Sequence, residues 1–373
     1  MVRSTYSAYG GVERVALSLI KGLLHKGVEV TLLTSPGQRW PVIDKNFKII
    51  FAGVGRGNRL LQAWSFNRGV AKYLRVHGQA TILSLDKVTV FTHLHAGGGT
   101  HKTFLKLRSE YSGAIANFFR RVSLFHRYLL SVERKGFEST RLVRVRCNSE
   151  MVREDVQREY GVPSEKLVVI HSGIRWKAMQ GVFADRERIA GELCQKHGID
   201  PTWRSLLFLG SGFDRKGLDV AIRGLSAMPP AYHLIVVGKG ATRTYARLAA
   251  GLGVGDRVHF IGPQPDGWQY ATLSKAMVLP SQYDPFGGAA AEGHAMGIPV
   301  LVSDKTGYAD WVSHGINGVI IPTPMKQPQI EAAFADLHDL VESPKWSPEM
   351  LREHAHQVDD DVILERLLRE FIF

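Results

Sequence analysis

Residues 280–299 read PSQYDPFGGAAAEGHAMGIP and connect two apolar, strand-like segments, one ending at Pro280 and the next beginning at Pro299. Between them lie a loop, two glycines and a helical stretch that opens near Gly288. A buried strand, a glycine-rich loop and a helix in this order are the repeating unit of a doubly wound α/β sheet. The stretch therefore predicts a parallel sheet with helices on its faces.

Short apolar runs rich in β-branched residues recur along the rest of the chain, with helical patterns such as 11–26 and 217–226 between them. Continuous rather than alternating hydrophobicity is typical of strands buried on both faces of a parallel sheet. The predicted strands cover residues 28–34, 47–51, 81–85, 142–147, 167–171, 206–210, 233–238, 258–262, 276–280, 299–303 and 318–322.

The length of 373 residues exceeds one ordinary core and predicts two domains. Few residues precede the Gly10-Gly11 pair, so the first strand is either short or begins upstream of Met1. The predicted organisation is a Rossmann-like domain over 1–172, a second over 173–348, and a C-terminal helix over 349–373 that packs across the domains or returns to the first.

The chain carries 47 Lys and Arg against 35 Asp and Glu, a net charge of +12. Such a charge indicates an anionic partner, which can be a nucleotide, a nucleic acid or an acidic membrane surface. Only two cysteines are present, which excludes a disulfide framework and a cysteine-based metal cluster. No apolar targeting or spanning segment stands out, so we expect a cytoplasmic protein that meets a membrane only from one side.

Two carboxylates flank the glycines of the opening stretch. Asp284 lies in the loop and Glu292 about one turn inside the helix, so they can bind different hydroxyls of one extended ligand. The free backbone amides of Phe286 to Ala289 at the helix start make an anion site. An ordinary capped helix explains these local features about as well.

A second constellation, LGSGFDRKG at residues 209–217, also follows a predicted buried strand. Its adjacent cations, Arg215 and Lys216, lie where open α/β sheets bind ligands and suit a diphosphate. The spacing of a Walker phosphate-binding loop, Gly-x-x-x-x-Gly-Lys-Ser/Thr, is absent. A solvated loop with incidental basic residues is the alternative.

A third stretch, THLHAGGGTH at residues 92–101, follows a strand-like run, Val88–Phe91. Its three histidines suggest zinc, but no acid or cysteine accompanies them, so we expect no metal. A purely structural loop is the other interpretation.

Seven motifs, in their order and spacing, resemble those of GT-B retaining glycosyltransferases of family 4. The resemblance extends over nearly the whole chain. Within the family, the chain most resembles the lipopolysaccharide core glucosyltransferase I group. The motifs are GGVERV from Gly10, CNSEMV from Cys147, residues 160–174, DRKG from Asp214, IVVG from Ile235, residues 284–292 and GIPV from Gly297.

The resemblance implies two domains that face a cleft and a nucleotide diphosphate sugar, similar to UDP-glucose, bound by the second. Glu292 would hold the ribose hydroxyls, and Arg215 and Lys216 the diphosphate. The family's first acid is a glutamate, and Asp284 is one methylene shorter, which shifts its contact to the sugar. The donor-binding residues so implied are Gly10, Gly11, Gly210, Phe286, Gly287, Gly288 and Glu292.

The implied reaction transfers a hexose, with retention, to a saccharide acceptor on a lipid anchor. Fixed cations and helix amides replace a metal, and no cofactor is expected. Relatives carry an acid where this chain has Gly98, so His95 or His101 is expected to contact the sugar or the acceptor. The residues assigned to catalysis are Arg215, Lys216, Asp284, His95 and His101. A nucleotide-sugar epimerase of the same fold and an inactive sugar-nucleotide binder stay open as alternatives.

The segment 101–146 holds 11 Lys and Arg and three Glu, a net charge of +8. Apolar residues recur in it at helical spacing: Ile115, Phe118, Phe119, Val122, Phe125, Leu129 and Val132. A helix of this kind suits the interface of an anionic bilayer, and the resemblance implies contact with the inner membrane through residues 102–146. A helix that merely packs on its domain is the alternative. Nucleic acid is not expected, since no recognised module surrounds the basic residues.

Overall fold

The computed structural model describes residues 1–7, 11–78, 81–110 and 113–373 and divides the chain into two compact units. The first unit comprises Met1–Ser172 and Asp361–Phe373, and the second comprises Gly173–Asp360. Each contains a parallel sheet with helical connections, so the predicted doubly wound α/β class is confirmed.

The strands of the first unit pair in parallel, in the order β2-β1 and β3-β4-β5-β6. Val2 joins the two groups, because it forms parallel bridges to Leu33 and to Ser84. The residues around Val2 therefore act as a very short first strand in the middle of the sheet. The strands are β1 (Val30–Thr34), β2 (Phe47–Phe51), β3 (Leu83–Ser84), β4 (His93–His95), β5 (Arg144–Cys147) and β6 (Leu167–Val169).

Helices connect these strands, and the part of the chain described contains none that is long and apolar enough to cross a membrane. The helices are α1 (Gly11–His25), α2 (Arg59–His77), α3 (His101–Glu110), α4 (Ala114–Val122), α5 (Leu124–Phe137) and α6 (Glu150–Tyr160).

The sheet of the second unit has the strand order β12-β11-β10-β7-β8-β9, entirely parallel. Its first strand, β7, therefore lies in the middle, and the chain extends the sheet first on one side and then on the other. The strands are β7 (Arg204–Leu209), β8 (Tyr232–Val237), β9 (Val258–Gly262), β10 (Ser274–Leu279), β11 (Val300–Ser303) and β12 (Gly318–Ile321).

Both faces of this sheet are covered. Successive residues of β7, Leu206, Leu207 and Phe208, are all fully buried, although alternate side chains of a strand point to opposite faces. Phe334 packs in the same core cluster as Leu206 and Phe208. The helices are α7 (Trp176–Ala184), α8 (Arg186–His197), α9 (Phe213–Lys216), α10 (Leu218–Ala227), α11 (Thr242–Gly251), α12 (Gly288–Ala295), α13 (Gln327–Glu342) and α14 (Pro348–His356).

All eleven predicted strands overlap strands of the structure, but the strand-like assignment of Val88–Phe91 is wrong. Val88 and Phe91 are buried, so the run is apolar because it fills the core and not because it pairs in the sheet. The strand that follows is β4, His93–His95. Its two histidines interrupt the apolar run by which a buried strand is predicted.

The predicted single helix over 349–373 is interrupted. Backbone bonds from Asp360 to Ile174, and from Ile174 to Val358, break it after α14. The chain then forms α15 (Asp360–Arg366) and a π-helical turn, Leu367–Ile372.

Within the first unit, this last segment packs against α1. A Cβ atom at Gly22 of α1 would lie 3.1 Å from Leu364 Cδ1 and 3.3 Å from Leu368 Cδ1. Phe371 is completely buried. Residues 361–373 therefore complete the core of the first unit.

A buried histidine fixes the position of α12. His294 Nε2 lies 2.9 Å from the carbonyl oxygen of Asn317, so this nitrogen donates, and Nδ1 accepts from the Tyr308 hydroxyl at 3.0 Å. Burial lowers the pKa of His294 to about 3. The ring is therefore neutral in the folded protein at neutral pH.

We expect His294→Gln to flatten the dependence of stability on pH. The unfolded histidine has a pKa near 6.5, so the folded state loses stability as the pH falls below that value towards 3, by about 2 kcal/mol between pH 7 and pH 5. Urea unfolding at both pH values measures the slope. His77→Gln, an exposed site on α2, is the control; equal slopes in the two variants would contradict the assignment.

Candidate active site

The two predicted constellations lie side by side at the middle of the second sheet. Residues 210–217 follow β7, and Pro280 to Asp284 follow β10, its hydrogen-bonded neighbour. Because β8 continues the sheet on the other side of β7, this is the point where strand order reverses. Open α/β sheets bind ligands at such a point, outside the carboxyl ends of the strands.

An ion-pair cluster joins the two loops. Lys216 Nζ contacts Asp284 Oδ2, and the Arg215 guanidinium lies 3.9 Å from the same oxygen. Arg215 also donates to the carbonyl oxygen of Tyr283 at 3.0 Å. The side chains of Lys216 and Asp284 are each only 12% exposed. One carboxylate thus holds two adjacent cations, of which Lys216 lies 68 residues away in sequence.

The cluster carries excess positive charge. Burial alone raises the pKa of the Asp284 carboxyl, but the charges of Lys216 and then Arg215 outweigh burial, and the pKa is lowered overall. Asp284 is therefore ionised at neutral pH and neutralises one of its two cations. The remaining positive charge favours binding of an anion.

Backbone bonds hold the Asp284 loop in place. The amide of Asp284 donates to Lys305 at 2.9 Å, and its carbonyl accepts from Gly307 at 2.9 Å. The amide of Gln282 donates to the carbonyl of Arg215 at 2.9 Å, which connects the two loops directly. The loops are therefore preorganised relative to each other.

Two glycines let these loops approach. A Cβ atom at Gly217, where φ is +75°, would lie 1.9 Å from the carbonyl oxygen of Pro280. At Gly210 a Cβ would lie 3.4 Å from Lys216 Cε, so this glycine borders the aliphatic part of the lysine. A side chain at Gly217 would separate the loops.

The glycines of the opening stretch start α12, as predicted. Gly287 adopts the left-handed conformation, with φ +85°, and Gly288 is the first helical residue. The amide of Gly287 also donates to the Asp284 carboxylate. The buried Phe286 ring packs edge to face on Tyr308, with centroids 5.8 Å apart. One of the backbone amides predicted to form the anion site, that of Gly287, therefore binds Asp284 here.

Glu292 lies on α12 one turn after Gly288 and is half-buried. Residues four apart share a helix face, so Glu292 is on the face above Gly288. The structure thus brings together Arg215, Lys216, Asp284 and the start of α12 in one unit.

The remaining predicted residues belong to the first unit. Gly10 lies outside the described residues, and Gly11 is the first residue of α1. His95 ends β4, where Nδ1 lies 3.3 Å from Arg146 Nη1. A Cβ at Gly97 would lie 2.1 Å from His95 Nε2, so the ring is closely packed. Burial, then the charges of Arg146 and Arg3, lower the pKa of His95 well below its usual value.

His101 begins α3 and is tied to side chains of its own unit. Its backbone amide donates to both oxygens of Glu133, at 2.8 and 2.9 Å. Its ring nitrogen Nε2 lies 3.1 Å from His126 Nδ1. Burial, followed by the charge of Lys87, lowers the pKa of His101 to about 4. These contacts give His101 a structural role at the helix start.

Sequence reasoning missed a charged pair in this unit. Lys87 Nζ contacts the buried carboxylate of Glu133, which also accepts from the Tyr160 hydroxyl. Lys87, Glu133 and His95 line a cavity of about 210 Å³. Lys87 lies two residues after the predicted strand 81–85. Its position just after the carboxyl end of a strand is the sequence feature that could have indicated it.

Two Rossmann-like units, the second with excess positive charge at its strand-order reversal, together with the following structural matches, show a GT-B fold. A crystal structure of WaaG, a glycosyltransferase involved in lipopolysaccharide biosynthesis, matches with a TM-score of 0.79 at 21% identity, over 99% of this chain and 98% of that one. Anabaena HepE, solved with UDP and glucose, matches with a TM-score of 0.65 at 16% identity, over 100% and 98%.

Family models identify the chain further. One described as Glycosyltransferase Family 4 matches residues 9–175, and one described as Glycosyl transferases group 1 matches residues 191–357. The chain belongs to the glycosyltransferases that combine these two domains.

Two relatives match most of the chain. Lipopolysaccharide glucosyltransferase WaaG of Escherichia coli (strain K12) is 24% identical over 332 residues, which cover 87% of this chain and 85% of the relative. Lipopolysaccharide core biosynthesis glycosyltransferase LpsD of Rhizobium meliloti (strain 1021) is 24% identical over 329 residues, covering 85% and 81%.

We expect Gly287→Ala to destabilise the second unit by about 1–3 kcal/mol, because its φ is positive and the new Cβ would lie 2.4 Å from Thr306 Cγ2. Gly288→Ala is the matched control, since its Cβ would meet only Phe286 Cδ1, at 3.8 Å. Thermal unfolding compares the two variants. Equal melting temperatures would show that the Gly287 conformation is not required.

Proposed function

We propose that this glycosyltransferase moves a hexose from a nucleotide diphosphate sugar, similar to UDP-glucose, to a saccharide of a lipid-anchored lipopolysaccharide core, with retention at the anomeric carbon. The observation that carries the proposal is the excess positive charge of Arg215 and Lys216 beside the start of α12. The names of WaaG and LpsD support the acceptor, and the UDP and glucose bound to HepE support the donor.

The cation cluster supplies the main catalytic effect. As the bond between the sugar and the diphosphate breaks, negative charge grows on the leaving phosphate, and cations already in position stabilise it without reorganisation. Asp284 orients the Lys216 ammonium for this task. In this proposal the two cations do the work that a divalent metal does elsewhere, so neither metal nor cofactor is needed.

The nucleotide and the sugar are held by α12. Glu292 accepts hydrogen bonds from the ribose hydroxyls, and the amide of Gly288 faces the phosphate or sugar at the positive end of the helix dipole. Asp284 has a shorter side chain than the glutamate of the family pattern and is committed to Lys216. Its main role in this chain is therefore to position the lysine.

We also place the protein on the inner face of the cell membrane, through residues 102–146. The apolar residues that recur at helical spacing in this segment differ in burial. Val132 is buried in the core, whereas Phe118 is 61% and Phe119 66% exposed. The side chain of Ile115 lies outside the described part. Exposed aromatic rings next to basic residues favour the interface of an anionic bilayer.

We expect Lys216→Ala to lower kcat/KM for the sugar nucleotide by about 100-fold or more, because one of the two phosphate-facing cations is lost. The matched control is Lys275→Ala, an exposed lysine at the opposite, amino end of β10. Unfolding curves check that both variants are folded. An unchanged kcat/KM in folded Lys216→Ala would overturn the diphosphate assignment.

The configuration of the product tests the reaction class. With UDP-glucose and a soluble saccharide acceptor, we expect a new glycosidic bond with the anomeric configuration of the donor, measured by NMR, at the same rate with and without a chelator. An inverted product would exclude retention. A free epimerised sugar nucleotide would indicate an epimerase, and activity that is lost with chelator and restored by Mg²⁺ would exclude the metal-free mechanism.

A further inference from the structure

His95 and Arg146 form a buried polar pair between two inner strands of the first sheet. They lie directly opposite each other on β4 and β5, so their side chains leave the sheet on the same face. Arg146 Nη1 lies 3.3 Å from His95 Nδ1. His95 is 5% exposed, and Arg146 is completely buried. The contact is therefore made away from water.

Arg146 is buried without a carboxylate partner among the described residues. Its guanidinium donates to the carbonyl oxygens of Ile170, at 2.9 Å, and of His171, at 2.5 Å, and it contacts the ring of His95. Burial lowers the pKa of Arg146 to about 9, so the group is still charged at neutral pH. A buried charge of this kind costs stability, and proteins break this rule most often at functional sites.

The arginine decides which nitrogen of the His95 ring carries the proton. A guanidinium can only donate hydrogen bonds, so Nδ1 of His95 is the acceptor and carries no proton. Burial, and then the charges of Arg146 and Arg3, lower the pKa of His95 well below its usual value, so the ring is neutral. Its one proton is therefore on Nε2, and His95 presents a fixed N–H donor there.

This donor has no hydrogen-bond partner among the described residues. The ring nitrogen Nε2 lies over Gly97, where a Cβ would be only 2.1 Å away. The carbonyl of Gly97 accepts from Asn148 Nδ2 at 3.0 Å, which holds the backbone beneath the ring. Because His95 lines the cavity of about 210 Å³, its N–H is available to a ligand in that cavity.

The cavity suits an uncharged polar ligand. Of its described lining residues, the four charged ones form two pairs, Arg3 with Asp86 at 2.6 Å and Lys87 with Glu133. A phosphate or carboxylate would therefore meet no excess positive charge. Apolar side chains such as Phe91 line much of the remaining wall. A sugar ring fits this mixture, because its hydroxyl oxygens accept hydrogen bonds and its C–H groups pack on apolar surfaces.

We propose that Arg146 is a positioning residue, which holds His95 in its Nε2–H form so that this N–H donates to a hydroxyl oxygen of the acceptor saccharide. The proposal rests on the proposed sugar transfer and deepens it, because it assigns a hydroxyl-binding group to the first unit. The acceptor is favoured over the donor because the cavity belongs to the first unit, whereas the cations proposed to hold the donor belong to the second.

Nitrogen-15 NMR of the protein labelled at its histidines tests the role of Arg146 without any substrate. Long-range proton–nitrogen correlations distinguish rings protonated at Nε2, at Nδ1 or at both nitrogens. At pH 7 we expect wild-type His95, assigned by the loss of its signals in His95→Gln, to carry its only proton on Nε2. Arg146→Met has no donor for Nδ1 and should show a mixture of forms, whereas Arg146→Lys should keep the Nε2–H form.

Steady-state kinetics with UDP-glucose and a soluble saccharide acceptor test the contact with the acceptor. We expect His95→Phe to raise the acceptor KM about fivefold and Arg146→Met about threefold, with kcat and the donor KM unchanged, because one neutral hydrogen bond is lost or weakened. Arg146→Lys should recover the wild-type KM. The control is Lys48→Met, which removes the same charge from an exposed position of β2 and should change neither KM. Unfolding curves check that every variant is folded.

A wild-type ring protonated at Nδ1 or at both nitrogens, or an unchanged ring in Arg146→Met, would overturn the role of Arg146. An unchanged acceptor KM in folded His95→Phe, or a rise in the donor KM alone, would overturn the contact with the acceptor. If the wild type transfers no sugar, the proposed reaction and the acceptor contact fail together, whereas the NMR measurement still decides the role of Arg146.

Discussion

The contact between Lys216 and Asp284 connects two loops that leave neighbouring strands at the centre of the second sheet. Burying either charge alone would be costly, and only the presence of its partner makes the site stable. The same contact places a cation at the reversal of strand order. The glycines at 217 and 287 keep this arrangement possible, because a Cβ at Gly217 would lie 1.9 Å from the carbonyl oxygen of Pro280 and one at Gly287 would lie 2.4 Å from Thr306 Cγ2. The stability of the two loops and the positive charge at the reversal thus depend on the same few atoms.

Much of the fold can be predicted from the sequence, because strands buried on both faces leave continuous apolar runs. Leu206 to Phe208 is such a run, and its position in the middle of the sheet agrees with complete burial. The prediction fails where the pattern has another cause. Val88–Phe91 is apolar because it fills the core, whereas β4 pairs in the sheet with two histidines among its three residues.

The candidate site is predictable in part for a similar reason. The local sequence indicates the positions of Gly287 and Gly288 at the start of a helix, and of Arg215 shortly after a buried strand. The pairing of Lys216 with Asp284 spans 68 residues, and no local pattern specifies which cation a carboxylate selects. The contact of Glu133 with Lys87, 46 residues apart, escapes local reasoning in the same way. The backbone amide of His101 donates to Glu133, 32 residues away, and this contact is likewise not specified by any local pattern.

The first unit is not a continuous piece of chain. Its core is completed by residues 361–373, which pack on α1 through Leu364 and Leu368. During synthesis, these residues leave the ribosome only after the whole second unit. Domains usually fold in the order in which they are made. Here the second unit can fold first, because its chain is complete earlier. Until residues 361–373 are made, the first unit keeps part of its apolar surface exposed. In this interval a nascent chain of this kind most needs a chaperone.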